Sequence, residues 1–329
     1  MADVVSKGRG VDATSGTAVR PVTSKGTQPE GAASELEASR KVREMFTRIA
    51  PRYDLLNHLL SLELDRMWRA RTARILRPIL ERSEAQILDL CCGTGDLAFA
   101  LQRRARGQVW GADFAHTMLV RARYKAVAIG ADQVEVKPFV PLLKQVTREE
   151  EPALSAESGF QNQEPLPREE AGTTNPEPRT AKGAARKTQA HRPVAFVEAD
   201  GLGLPFADGA FDLVTTAFGF RNLANYEAGL TEIRRVLKPG GTLAILECGE
   251  PKPGWFGELY RWYFRVVLPR VGGLISGNRA AYTYLPSSVE RFLRPDELAA
   301  LMRRTGFVKV EFRLWTGGTV ALHIGVKGS

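Results

Sequence analysis

Cysteine is scarce in this 329-residue chain: there are three, Cys91, Cys92 and Cys248. An odd number without framework spacing argues against a disulfide scaffold and fits a reducing compartment. Long apolar runs are also missing. No stretch of about 18 apolar residues exists, so nothing is expected to span a membrane. The opening MADVVSKGRGVDATSG lacks the apolar core of a secretory signal. These absences point to a cytoplasmic protein. With 43% hydrophobic residues, the chain can still build a sizeable core.

Positive charge is abundant, and it is unevenly placed. The formal net charge is +9, while residues 1–35 and 133–192 are each neutral. Residues 40–82 and 252–313 each carry eleven basic and five acidic side chains. A basic surface suits an anionic partner such as nucleic acid, an acidic substrate or membrane headgroups. Solvated arginine-rich helix faces are the plainer reading, and charge alone does not choose between them.

Residues 1–39, rich in Gly, Ser, Thr and Ala, read as a disordered tail, with the folded domain at 40–329. Helical spacing follows: Val42, Met45, Phe46 and Ile49, then Leu55, Leu56, Leu59 and Leu60, then Trp68, Ala73, Ile75 and Leu76. Pro51 stops the first helix. From Ile87 the pattern alternates. Strands are predicted at 86–91, 109–113, 194–199, 211–217 and 242–247, with helices at about 95–105, 116–128 and 226–237. LKPGG at 237–241 reads as a helix stop and a turn. Such alternation gives an α/β fold, a parallel sheet with helices on both faces. The chain ends in two strands joined at Thr316-Gly317-Gly318, an antiparallel hairpin. Residues 133–192, full of Pro, Glu, Gln, Thr and Ala, interrupt the alternation and read as a disordered insertion.

The stretch ILDLCCGTGDLAFAL (87–101) runs from a buried strand through a Gly-x-Gly turn into an amphipathic helix. In such sheets an adenosine cofactor binds at the carboxyl ends of the strands. Gly93 and Gly95 allow positive φ and a close backbone approach. Asp113, ending the second strand, is placed to accept from both ribose hydroxyls. Asp200, after the third, can accept from an adenine amino group while the Gly201 backbone reaches a ring nitrogen. A diphosphate is poorly served, because the third glycine of the dinucleotide fingerprint is missing and Asp96 opens the helix. A sulfonium with an α-amino acid tail suits the loop better, with its carboxylate on backbone N–H groups and its ammonium on Asp89. That is S-adenosylmethionine. Each position also has a plain reading as a turn residue or helix cap. Adjacent strand side chains point apart, so Cys91 and Cys92 cannot pair on a metal; they read as small packing residues, and no metal is expected.

With the strand ends placed, MFTRIAPRYDLLNHLLSLELDRMWR, LPFADGAFDLVTTAFGFRNL, EIRRVLKPGGTLAILE, LPRVGGLISGN and TGGTVALHIGVK become informative. Together with the glycine loop they resemble the ubiquinone/menaquinone biosynthesis C-methyltransferases of the UbiE/MenG type. The resemblance runs from about Lys41 to Lys327, excluding 133–192. It implies a class I S-adenosylmethionine-dependent methyltransferase, Rossmann-like, with a mostly parallel seven-stranded sheet. It implies that Thr94, Asp113, Asp200 and Gly201 contact the cofactor, and that Arg221, Tyr53 and Asp113 are polar groups near the substrate ring. Ala217 stands where some members have a serine that touches the cofactor. The double cysteine resembles menaquinone-pathway members, which favours demethylmenaquinol as substrate; 2-methoxy-6-polyprenyl-1,4-benzoquinol of ubiquinone synthesis is the alternative.

On this reading a reduced ring is methylated on carbon. A deprotonated quinol oxygen pushes electron density onto the adjacent carbon, and the protein supplies orientation and steadies the phenolate. Arg221 stays protonated, so it would lower the phenol's pKa and anchor a proton-accepting water. A salt bridge holding its loop is the competing role. GWFGELYRWYFRVVLPRVGGLI (254–275) suits an interfacial lid that meets a polyprenyl tail at a membrane's inner face, or a helix packed on the sheet or in a homodimer. A nucleic-acid methyltransferase would show an Asn/Asp-Pro-Pro-aromatic turn or a Pro-Cys nucleophile, and Phe218-Gly219-Phe220-Arg221-Asn222 is neither. A dehydrogenase or a non-catalytic binding protein fits the motifs less well.

Overall fold

Seven apolar segments pair into the main sheet: β1 (Gln86–Leu90), β2 (Gln108–Asp113), β3 (Ala195–Glu198), β4 (Phe211–Ala217), β5 (Leu237–Cys248), β6 (Phe307–Trp315) and β7 (Val320–Lys327). Their spatial order is β6-β7-β5-β4-β1-β2-β3. Strands β1 to β5 run parallel to one another, and β7 lies antiparallel between β5 and β6. This is the doubly wound sheet with a terminal hairpin that the pattern predicted. Two short strands extend its edges, Val4–Ser6 against β6 and Val136–Lys137 against β3, giving nine among the described residues. The computed structural model describes residues 4–6, 26–27, 29, 31–54, 61, 63–128, 136–137, 192–249, 251, 253–267, 270, 284 and 287–329. The expected insertion at 133–192 lies outside the described residues except at Val136–Lys137 and Arg192, as do Leu55, Leu56, Leu59, Leu60 and most of the expected tail.

Central β1 is buried on both faces, which is why Ile87, Leu88 and Leu90 read as a continuous apolar run. Strand alternation sends Ile87 to one layer and Leu88 and Leu90 to the other. The first layer is covered by α2 (Leu64–Ile75), α3 (Asp96–Gln102) and α4 (His116–Ala128). The second is covered by α5 (Tyr226–Val236) and α7 (Pro295–Arg304). Helix α6 (Trp255–Trp262) follows β5.

Two boundaries differ from the sequence reading. Helix α1 (Glu35–Ile49) starts before residue 40, because Ser34 caps it: the Ser34 hydroxyl accepts from the Glu37 amide, and the Glu37 carboxylate accepts from the amide of Ala33, one residue before the cap. Earlier still, the Gly26 and Thr27 amides donate to the carbonyls of Ala224 and Leu223. Helix α5 stops at Val236 as LKPGG suggests, but Leu237 already pairs with Phe211. The turn is instead a bulge inside β5, with Gly240 at φ 74° absorbing it.

Candidate active site

A cleft opens at the carboxyl ends of β1, β2, β3 and β4 and is roofed by residues of α1 and the segment after it, including Phe46 and Tyr53. The chain turns from β1 into α3 with Cys91 at φ 54°, Gly93 at 55° and Gly95 at 87°. A Cβ on Gly95 would stand 2.8 Å from the Phe99 ring, so glycine is required there. The loop is tied to β2: the Cys92 amide donates to the Ala112 carbonyl (3.0 Å) and the Gly93 amide to Asp113 Oδ2 (2.9 Å). Asp113 Oδ1 accepts from the Ala115 amide, also at 2.9 Å. Burial pushes the Asp113 carboxyl up to about 6, against the pull of these amides.

The cysteines occupy space that glycines elsewhere provide. A Cβ on Gly219 would lie 2.3 Å from Cys91 Cβ, and one on Gly111 would lie 3.1 Å from Cys92 Sγ. Burial, reinforced by Asp113, raises both thiols well above the ordinary range, so neither is a ready nucleophile.

Asp89, on the face of β1 toward α2 and α3, is 1% exposed. Its Oδ1 accepts from the Thr215 hydroxyl (2.9 Å), while its buried Oδ2 has no hydrogen-bond partner. Burial raises its pKa to about 7. An orphaned carboxylate oxygen beside a cleft suits a ligand ammonium, which would supply both donor and charge. Farther along the strand ends, Asp200 uses Oδ1 to accept from the Leu202 amide, and Gly201 packs where a Cβ would meet Leu223 at 2.8 Å. Asp89, Gly93, Thr94, Asp113, Asp200 and Gly201 line this one cleft; Gly95 shapes it from behind as the N-cap of α3. Three strand-end carboxylates in a row fit the amino-acid, ribose and adenine parts of an adenosyl amino acid.

Sequence reasoning missed the charged rim. The Thr94 hydroxyl donates to Asp54, and Lys125 of α4 reaches Thr94 (3.1 Å), Asp54 (3.2 Å) and Asp96. Arg69 of α2 pairs with Asp65, lies 3.9 Å from Asp96 and stands over the Phe218 ring at 5.5 Å. These residues come from four separate segments, so no motif spacing announces them.

Tyr53 lines the cleft, its ring 3.8 Å from where a Gly93 Cβ would be. Arg221, expected beside the substrate ring, is placed differently: it does not line the cleft. Its Nη1 donates to Glu247 Oε2 (2.8 Å) and to the Phe218 carbonyl, and its amide donates to Glu247 Oε1 (3.1 Å). Burial opposes the guanidinium charge, but Glu247 outweighs it and raises the pKa. Through Phe218, at φ 59°, Arg221 and Glu247 brace the cleft wall. Its buried Nε has no partner.

The ubiE/COQ5 methyltransferase family model matches residues 34–139 and 179–327 of this chain. A protein of Thermus thermophilus named demethylmenaquinone methyltransferase is 44% identical over 282 residues, 85% of this chain and 99% of that protein. One of the same name from Deinococcus radiodurans is 40% identical, covering 87% and 92%. A Geobacter sulfurreducens protein named ubiquinone/menaquinone biosynthesis C-methyltransferase UbiE is 34% identical, covering 89% and 90%. Among solved structures, a SAM-dependent methyltransferase from Thermotoga maritima superposes with a TM-score of 0.50 at 15% identity, over 87% of this chain and 99% of that one. That likeness concerns the fold.

Proposed function

From membership of the ubiE/COQ5 methyltransferase family, to which this chain belongs, we propose that it methylates the ring carbon of a polyprenyl quinol, demethylmenaquinol, with S-adenosylmethionine as donor. The observation that carries the cofactor reading is the buried, unpartnered Oδ2 of Asp89 at the glycine loop, in one cleft with Asp113 and Asp200. The naphthoquinol ring is favoured by the names of the two relatives at 40% identity or more.

When bound, S-adenosylmethionine supplies an electrophilic methyl group on sulfur. Asp113 would hold the ribose hydroxyls, Asp200 and Gly201 the adenine, and Thr94 and Gly93 the inner wall. Tyr53 and the Phe218 ring would sandwich the quinol against the loop, fixing the acceptor carbon in line. The charge of Arg221 would steady the forming phenolate from behind that wall. Burial of this wall keeps bulk water from competing for the methyl group.

A quinol with an isoprenoid tail resides in a bilayer, and the protein has a surface suited to one. Trp255, Leu259 and Trp262 of α6 are 79%, 53% and 56% exposed and share one helix face, with Arg261 and Arg270 nearby in sequence. No helix among the described residues is long and apolar enough to cross a membrane. We assign α6 to peripheral docking on anionic lipid. The test of the activity is methyl transfer to a short-tailed demethylmenaquinol. Methylation of the reduced ring and not of the oxidised quinone is expected; binding of S-adenosylmethionine without transfer to any quinol would overturn the proposal.

A further inference from the structure

We propose that Arg69 grips the α-carboxylate of S-adenosylmethionine while Asp89 takes the α-ammonium, so that the two residues form a clamp for a zwitterionic amino-acid head. The proposal rests on the cofactor reading above and adds a cationic residue that the glycine-loop pattern does not contain.

The loop itself is short of donors. Its amides at Cys92, Gly93 and Gly95 are already spent on the Ala112 carbonyl, Asp113 Oδ2 and the Cys92 carbonyl. The expectation that backbone N–H groups alone hold the carboxylate therefore lacks most of its donors. Arg69 lines the same cleft, with its side chain 9% exposed. It uses one nitrogen, Nη1, for both Asp65 and Asp96; its Nε and Nη2 donate to no described residue. That leaves the Nε–Nη2 edge, the fork that binds a carboxylate through two parallel hydrogen bonds. The Asp65 carboxylate and the Phe218 face hold the guanidinium plane in place.

The placement relative to Asp89 selects the ligand group. An α-amino acid carries its two charges on one carbon, so its cation holder and anion holder must be neighbours that do not neutralise each other. Arg69 is near enough to Asp89 for its charge to favour the ionised carboxylate. Yet no hydrogen bond or ion pair joins them, and Asp89 Oδ2 stays unpartnered. Of the further carboxylates near Arg69, Asp65 is its own ion-pair partner and Asp96 is matched by Lys125. A substrate phenolate at Arg69 would give no role to the orphaned Asp89 oxygen.

Calorimetric binding of S-adenosylmethionine and of its decarboxylated form, which lacks only the carboxylate, tests the clamp without turnover. The wild-type chain should prefer S-adenosylmethionine by about 10- to 100-fold, the range of a charged hydrogen-bonded pair. Arg69→Gln should lose that preference by weakening S-adenosylmethionine alone, with the decarboxylated form changed by less than about threefold. Arg69→Lys, which keeps the Asp65 partner and the fold, should retain part of the preference because it has charge without the fork. Equal weakening of both ligands would make Arg69 a wall residue and overturn the clamp. An undiminished preference in Arg69→Gln would place the carboxylate elsewhere and overturn it too. A wild-type chain that binds neither ligand would overturn the cofactor reading itself.

Discussion

Arg221→Ala separates the two roles that meet in one guanidinium. The substitution strips the side-chain partner from Glu247, which is 1% exposed, and frees the Phe218 carbonyl. Removing one member of a buried pair costs about 3–5 kcal/mol, because the remaining charge stays desolvated. Here the Arg221 amide still donates to Glu247, so the lower end, about 3 kcal/mol, is expected. Set against a typical total of roughly 5–15 kcal/mol, the variant should fold but unfold at clearly lower urea. Tryptophan fluorescence would follow the transition, with an unchanged m-value confirming that stability alone has moved. Adding Glu247→Gln removes the orphaned charge and should return at least half of the loss. Activity then decides the chemistry. If the Arg221 charge steadies the phenolate, kcat falls on the order of 10²-fold in the single variant and stays low in the stabilised double variant. A double variant that regains turnover together with stability would make Arg221 a strut only. A loss below about 1 kcal/mol in the single variant would refute the buried pair.

Four further outcomes follow from the same geometry. Asp89 and Asp113 sit near 7 and 6 because burial disfavours their charge; the folded chain therefore holds more protons than the unfolded one from about pH 4 to 7. Their contribution to stability is complete below that window and is lost as pH rises through it, so Asp89→Asn should flatten the stability profile between pH 5 and 7, as urea titrations at several pH values would read. Gly219→Ala forces a Cβ against Cys91 and should cost about 1–3 kcal/mol as overpacking, with Cys91→Gly in the same chain recovering much of it in thermal unfolding. Replacing residues 141–178, which the family model skips, with a short Gly/Ser link should leave cofactor affinity within about twofold by calorimetry, since loop-closure entropy changes slowly with length. Vesicle co-sedimentation should need anionic lipid, weaken as salt shortens the Debye length below about 8 Å, and drop sharply in Trp255→Ala/Trp262→Ala, whereas equal binding to neutral vesicles would remove the electrostatic part of the docking proposal.

Local pattern determined the fold class. The run Ile87-Leu88-Leu90, the glycine turn and the alternation that follows are short-range features, and short-range sterics and hydrophobic periodicity act on them directly. The same holds for the terminal hairpin, where Thr316, Gly317 and Gly318 all take positive φ. The strand-end acids Asp89, Asp113 and Asp200 were legible because topology fixes where parallel strands end, and ligands bind there. The start of α1 was written in Ser34 and Glu37 but was masked by the polar composition around it.

The partnerships of charged side chains were decided by the tertiary structure. Arg221 lies 26 positions before Glu247, and only the parallel pairing of β4 with β5 brings that loop over the carboxylate. Lys125 and Asp54, or Cys91 and Gly219, belong to separate elements, and nothing in either segment encodes the other. Cys91 in a slot that usually takes glycine looks like a chemical group in the sequence. In the folded chain it is a packing group, because a glycine on the neighbouring loop leaves room for its Cβ. Arg69 sits in an ordinary amphipathic pattern on α2, and its place in the cleft wall becomes apparent only in the folded chain. Sequence separation imposes no spacing on such contacts; the sheet order does.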